Sequence, residues 1–172
     1  ALIAHAAAEF PALVNEQDAA LLREVLDDLP AWWSELEQLP RTLIHNDFNP
    51  RNLAFRRSPA GISLCAYDWE LATLGLPQRD CAELLCFVVG PQCSPDQIAH
   101  YLDHHRTALE RSASCSIDRA LWQRGFQLAL ADLIVNRLPM YTLAHTFRRQ
   151  AFLERVVRTW LRLWRLFAQT MP

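Results

Sequence analysis

The chain has 172 residues and a formal net charge of −2, from 17 basic and 19 acidic side chains. This near balance argues against a protein that binds polyanions as a whole, and no apolar stretch reaches the roughly 18 residues that a membrane span needs. We therefore expect neither a nucleic-acid nor a membrane partner. With 51% hydrophobic residues, the length predicts one domain with a substantial core.

Apolar residues at helical spacing predict two helices at the start of the chain, over residues 2–15 and 17–29. Asn15 or Asp18 is suited to cap the second helix. A short helical turn closed by Pro40 follows.

Three short strands are predicted next: Thr42–Ile44, Leu53–Phe55 and Ile62–Tyr67. A polar loop, His45–Asn52, separates the first two. A Ser-Pro-Ala-Gly turn over residues 58–61 joins the last two. The sequence thus predicts a small β-hairpin next to a polar loop, where chemistry is often found.

The remainder is predicted to be helical, over residues 80–89, 94–109, 117–138 and 147–167. Ser94 is suited to cap the second of these helices, with proline at its first position. The predicted fold class is therefore mainly α (α+β), a helical domain interrupted by one small β-hairpin region.

Cysteine, lysine and glycine usage indicates the cellular location and limits the kinds of phosphate-binding site that the chain can form. Five cysteines form no Cys-x-x-Cys pair, and their odd number fits poorly with a disulfide framework, so we expect a reducing, cytoplasmic location. All 17 basic residues are arginine, and the four glycines are scattered. This chain therefore contains no glycine-rich loop that could cradle a phosphate.

The segment with the most chemical information begins in the polar loop. His45 is followed by Asp47 and, five residues later, by Asn52; an apolar strand then ends in the acidic pair Asp68 and Glu70. Kinase chemistry needs a carboxylate that orients or deprotonates a hydroxyl, together with oxygen ligands for Mg²⁺. An Asp-x-x-x-x-Asn loop followed by a strand that carries an Asp supplies both.

These motifs resemble the aminoglycoside phosphotransferase and choline kinase-like family, whose usual form is H-G-D-x-x-x-x-N followed by I-D-W/F-E. The resemblance implies the C-terminal lobe of a protein kinase-like fold, and ATP (or GTP) as phosphoryl donor to a small-molecule hydroxyl. It implies Asp47 as catalytic base or orienting group, with His45 bracing the loop. Asn52 and Asp68 would bind the nucleotide-associated Mg²⁺, with Glu70 as a further candidate ligand.

The resemblance also implies that Asp80 holds the backbone of the loop from the start of the next helix. The sequence departs from the family pattern in three ways. Asn46 replaces the usual glycine, which is tolerable because Asn is well suited to positive φ. Leu76 replaces an aspartate. The lysine that contacts the phosphates is absent, so we expect residues 1–172 to be one C-terminal lobe of a larger polypeptide, nearly inactive alone.

Two other interpretations remain open. A non-catalytic kinase-like module would bind a ligand or partner without turnover. A helical interaction or nucleic-acid module rests only on one arginine face of the last predicted helix: Arg155, Arg158, Arg162 and Arg165. The expected partners are a small-molecule acceptor and the missing N-terminal lobe, with a second copy of the chain as a further candidate. The sequence does not identify the acceptor.

Overall fold

The computed structural model describes residues 1–168 and shows a mostly helical α+β fold. The helices are α1 Leu2–Glu9, α2 Glu16–Asp27, α3 Leu29–Gln38, α4 Gln78–Val88, α5 Pro95–Ala113, α6 Arg119–Asn136, α7 Leu138–Phe147 and α8 Leu153–Ala168. The strands are β1 Thr42–Ile44, β2 Leu53–Ser58, β3 Gly61–Ala66 and β4 Thr73–Gly75, and 3₁₀ turns span Pro50–Asn52 and Trp69–Leu71.

The strands form two antiparallel pairs. β2 and β3 make the predicted hairpin, with register from Leu53 opposite Ala66 to Ser58 opposite Gly61. β1 pairs with β4, which the sequence analysis missed. Three residues are too few for an alternating pattern to show, and the pairing joins segments about 30 residues apart. The polar loop thus connects β1 to β2, and the acidic pair Asp68 and Glu70 follows β3.

Helix caps explain several of the helix boundaries. Asn15 accepts a hydrogen bond from the backbone N–H of Asp18, whose carboxylate accepts the N–H of Asn15 in return, so the predicted cap of α2 is confirmed. Ser94 accepts from the N–H of Gln97 at 3.1 Å, as predicted for α5. The first helix ends at Glu9, earlier than predicted, because Pro11 disfavours helical backbone in the residue before it.

The C-terminal helices differ from the prediction. The segment 138–147, for which the sequence predicts no helix, forms α7. The last helix begins at Leu153 rather than at the predicted Phe147. A proline in the first turn suits the start of α7, since its missing N–H would have no helical partner there. Extended backbone at Arg148 then separates the two helices.

Helix α6 is the centre of the core. It is buried on all sides from Gly125 to Ala131 and packs against α4, α7 and α8. Buried tryptophans have their polar edge satisfied: the indole N–H of Trp122 donates to the carbonyl of Leu102 at 3.0 Å, and that of Trp160 to Leu130 at 2.8 Å. The core therefore provides a rigid base for the loop.

The arginine face of α8 makes contacts within the fold. Its four guanidinium groups reach the carbonyls of Val88, Ala12 and Cys93 and the carboxylate of Asp18. These bonds connect α8 to the segment that contains Ala12 and Asp18 and to the segment that contains Val88 and Cys93. No helix within residues 1–168 is long and apolar enough to cross a membrane.

Apolar side chains are exposed around the β-strands. On one side of the hairpin, Phe55 stands opposite Leu64, with Ile62 two pairs further on, and the Phe55 side chain is 78% exposed. On the other pair, Leu43 and Leu74 face each other and are 62% and 68% exposed. Apolar surface is therefore exposed on the strands next to the polar loop.

Candidate functional site

The polar loop is anchored at its first residues by Asp80. This aspartate lies in the first turn of α4, and its two carboxylate oxygens accept the backbone N–H groups of His45 at 2.7 Å and of Asn46 at 2.9 Å. Hydrogen bonds to a charged acceptor are about twice as strong as neutral ones. The expected role of Asp80 in holding the loop is confirmed.

The ring of His45 ties the loop to the end of β3. It is buried, and its Nε2–H donates to the carbonyl of Tyr67 at 2.8 Å. The ring also lies between Phe48 and Trp69, with centroid distances of 5.8 Å and 4.7 Å. Because the ring is enclosed, the geometry favours a positioning role for His45 over contact with a substrate.

Two residues of the site have left-handed backbone. Asn46 has φ 60°, as expected for a residue in a position usually taken by glycine, and its side chain donates to the carbonyl of Leu71 at 3.3 Å. Asp68 has φ 64°. Asn and Asp are the non-glycine residues that adopt this conformation most readily. Such backbone often marks functional sites, where the surrounding structure maintains it.

The carboxylate of Asp47 is held by two side-chain amides. Asn49 Nδ2 donates to Oδ1 at 3.0 Å, and Asn52 Nδ2 donates to Oδ2 at 2.7 Å. Asn49 is fully buried, whereas the Asp47 side chain remains 21% exposed. The carboxylate is thus fixed in orientation while still accessible from one side. Asn49 was not singled out from the sequence, although an Asn before Pro is a known turn signal.

Asn52 and Asp68 come together through the backbone. The N–H of Tyr67 donates to the carbonyl of Asn52 at 3.1 Å. Asp68 therefore directly follows a residue that is hydrogen-bonded to Asn52. The Asn52 amide nitrogen donates both to the Asp47 carbonyl and to its carboxylate, and Oδ1 of Asn52 bonds to no group within residues 1–168. Asp68 is exposed and also lacks a bonding partner among those residues.

Oxygen donors of this kind suit a hard cation. The described residues contain no group of three or more His, Cys, Asp or Glu side chains arranged around a metal. The oxygen donors of Asn52 and Asp68 that have no partner among the described residues are one amide oxygen and one carboxylate. Mg²⁺ sites in proteins commonly combine one or two carboxylates with water and phosphate oxygens. Glu70 is exposed, without a partner in the part of the chain described, and lies two residues after Asp68.

A buried arginine in contact with the loop was not foreseen. Arg137, at the end of α6, donates to the carbonyl of Asn46, and its guanidinium is 3.6 Å from Oδ1 of Asp47 and 3.6 Å from Oε1 of Glu83. It places a positive charge beside the Asp47 carboxylate.

Glu83 is the centre of a buried ionic network. It accepts from Arg79 at 2.9 Å and from the Tyr141 hydroxyl at 2.9 Å. Arg79 also pairs with Asp132 at 2.8 Å. Burial and the negative charge of Glu83 raise the pKa of Tyr141 far above its ordinary value, so this hydroxyl stays protonated as a donor. The sequence does contain one signal for this network, a glutamate within the apolar run of α4.

Arg51 links the second half of the loop to the helical body. Its guanidinium lies 5.0 Å from the ring centroid of Phe152 and 6.0 Å from those of Phe87 and Tyr141. Its Nε–H donates to Asn49 Oδ1 at 3.1 Å. Cation–π contacts thus stabilise the turn that carries Asn49 and Asn52.

A comparison with protein families provides an independent result. The model of the phosphotransferase enzyme family matches residues 1–115, which include the loop, all four strands and α4. The chain therefore belongs to the phosphotransferase enzyme family. This family transfers phosphoryl groups, which agrees with the resemblance seen in the motifs. No curated protein and no solved structure matched the chain.

Proposed function

We propose that residues 1–172 form the C-terminal lobe of a kinase-like phosphotransferase, which transfers the γ-phosphoryl group of ATP (or GTP) to a small-molecule hydroxyl with Mg²⁺. The observation that supports this best is the arrangement of Asn52. Its amide nitrogen fixes the Asp47 carboxylate, while its oxygen stays without a partner in residues 1–168 beside the backbone that carries Asp68.

Asp47 acts as the catalytic base or orienting group. Its carboxylate accepts the proton of the acceptor hydroxyl as the new oxygen–phosphorus bond forms and the bond to the leaving nucleoside diphosphate breaks. Asn49 and Asn52 hold this carboxylate so that no reorientation is needed. His45 and Asp80 act through the loop backbone as positioning residues.

Asn52 and Asp68, with Glu70 as a third candidate, hold the cation. Mg²⁺ neutralises charge that develops on the phosphate oxygens. The donor set fits this ion because Oδ1 of Asn52 and the Asp68 carboxylate are both hard oxygen ligands without other partners in the described part of the chain.

The contact to the remaining phosphates comes from another lobe of the intact polypeptide. The chain has no lysine and no glycine-rich loop. The apolar side of the hairpin, formed by Phe55, Ile62 and Leu64, is exposed beside the catalytic loop. Exposed apolar patches of this kind usually mark interaction sites. We propose that this side packs against the nucleotide-binding lobe.

The second partner considered for the hairpin is another copy of the chain. Analytical ultracentrifugation of residues 1–172, with Phe55→Ser as a comparison, separates the two. A wild-type monomer that binds the isolated N-terminal lobe, and loses this binding in Phe55→Ser, supports lobe packing. A dimer that dissociates in Phe55→Ser supports self-association instead.

The function itself is tested with the intact polypeptide. We expect Asp47→Asn to lower turnover about a hundredfold or more while nucleotide affinity stays nearly unchanged, the usual scale for a positioned acid–base group. Asp68→Asn should lower both turnover and Mg²⁺-dependent nucleotide binding. Transfer to a panel of small alcohols and nucleotide affinity with and without Mg²⁺ are the two measurements. A wild type that binds no nucleotide in either condition would favour the non-catalytic module.

A further inference from the structure

A cavity of about 440 Å³ lies beside the catalytic loop, on the side of Arg137. We propose that this cavity receives the acceptor, that the acceptor is a small hydroxy compound with a negatively charged group, and that Arg41 determines this specificity. The inference rests on the proposed function for the role of the ligand as acceptor, but the charge preference of the cavity is a separate property of the chain.

The cavity lies next to the reacting carboxylate. Asn46, which precedes Asp47, forms part of its wall. Arg137 also lines it and is 3.6 Å from Oδ1 of Asp47. Asp47 itself is not part of the wall, so a ligand at this end would extend its hydroxyl past Asn46 to reach the group proposed to accept its proton.

The size and the apolar part of the wall fit a small organic molecule. Pockets for such ligands are about 300–1,000 Å³ and mostly apolar, with a few polar groups that give specificity. Trp33, Ile44, Leu74 and Met140 supply apolar surface here. The polar groups of the wall therefore decide which ligands are accepted.

The negative charge in the wall is already compensated. Asp132 is the one carboxylate among the described lining residues. Its Oδ2 accepts from Arg79 at 2.8 Å, and its Oδ1 accepts from the amide of Asn136. Both carboxylate oxygens are thus used within the protein, and no acidic group is left to bind a cationic ligand.

The positive charge in the wall is only partly compensated. Arg79 pairs with Asp132 and Glu83. Arg137 is buried between Asp47 and Glu83, and its Nε–H has no hydrogen-bond partner. Arg41 is exposed and makes no ion pair with any residue in the range 1–168. Arg41 is therefore the guanidinium of the wall that has no carboxylate partner among the described residues, and such a group attracts an anion and repels a cation.

The position of Arg41 sets the length of the ligand. Arg41 comes three residues before Ile44, which is about 10 Å along an extended strand, and Ile44 directly precedes the loop. A ligand whose hydroxyl lies near Asp47 would reach Arg41 with a carboxylate or phosphate at its other end. A ligand with a cationic group at that end would instead meet the positive charge of Arg41.

Three matched probes test the charge preference on the 172-residue chain: 4-(hydroxymethyl)benzoate, 4-(hydroxymethyl)benzamide and 4-(hydroxymethyl)benzylamine. They share one ring and one primary hydroxyl and differ only in charge. The chain has two methionines, Met140 in the cavity wall and Met171 outside the described residues. Methyl-labelled methionine therefore reports binding through a single assigned NMR signal, confirmed by Met140→Leu.

We expect the benzoate to shift the Met140 signal with an affinity at least tenfold higher than the benzylamine, and added salt to reduce this difference. Arg41→Gln should remove most of the preference and leave the benzamide affinity unchanged. Arg23→Gln, which removes an exposed arginine of α2 remote from the cavity, is the matched control.

Equal affinity for the three probes, tighter binding of the benzylamine, or no shift of Met140 by any of them would overturn the proposal. A preference that persists in Arg41→Gln would overturn the assignment to Arg41. Benzoate binding at Met140 without phosphoryl transfer by the intact polypeptide would refute the proposed function while leaving the charge preference of the cavity in place.

Discussion

The substitution Asp80→Asn tests how the catalytic loop is held. The Asp80 carboxylate accepts two backbone N–H groups, at 2.7 Å and 2.9 Å. An asparagine keeps one accepting oxygen and turns an amide N–H₂ towards the second donor, so one bond is lost and the other loses its charge. Hydrogen bonds to charged groups contribute about 1.5–3 kcal/mol each. We therefore expect the closed loop to lose about 2–3 kcal/mol, counting the whole of one bond.

Amide hydrogen exchange measures this loss directly. A change of 2–3 kcal/mol corresponds to exchange of the His45 and Asn46 amides about 30- to 150-fold faster, at 1.4 kcal/mol per factor of ten. Asp96→Asn is the matched control, because Asp96 lies in the first turn of α5 as Asp80 does in α4. It reproduces the loss of a favourable helix-end charge without touching the loop. Exchange of both amides at the wild-type rate in Asp80→Asn would refute the reasoning.

Two further substitutions test the packing of the helical body. In Gly125→Ala, the new methyl group would lie 2.4 Å from Nε2 of Gln78, which donates to the Trp122 carbonyl. We therefore expect urea denaturation to show a free energy of unfolding lower by about 1–3 kcal/mol. Wild-type stability would contradict this close packing. Burial, the largest cause, lowers the pKa of His105 below 6.5, with His104 adding to the shift and Asp80 opposing it. Protonation of His105 therefore favours unfolding, so its contribution is present above pH 6.5 and is lost as the pH falls through the lowered pKa. His105→Gln should flatten the fall in stability between pH 7.5 and pH 5, and an unchanged pH profile would rule out this role.

Features encoded by neighbouring residues could be predicted from the sequence. The caps at Asn15 and Ser94 depend on contacts three residues apart, and the hairpin on one turn. The positive φ of Asn46 follows from the conformational preference of its residue type. Asp47 and Asn52, which the sequence predicts as site residues from their spacing, are likewise joined by a bond that spans only five residues.

Features that depend on distant partners were missed. β4 forms only because β1 is opposite it, and α7 has little helical pattern of its own. Arg137 reaches the loop across 91 positions, and its buried charge depends on Glu83, which is in another helix. In sequence, Arg137 is one arginine among 17. Only the packing of α4 against α6 brings these charges close to Asp47.

Paramagnetic relaxation by Mn²⁺ tests the central claim, that Asn52 and Asp68 share a divalent cation beside Asp47. Mn²⁺ prefers the same oxygen ligands as Mg²⁺ and broadens NMR signals near its binding site. The account predicts that, in the 172-residue chain, the Asn52 and Asp68 amide signals broaden at lower Mn²⁺ than those of the exposed pair Asp27 and Asp28, and that Asp68→Asn abolishes this difference. Broadening that begins at Asp27 and Asp28, or that is unchanged in Asp68→Asn, would contradict the account.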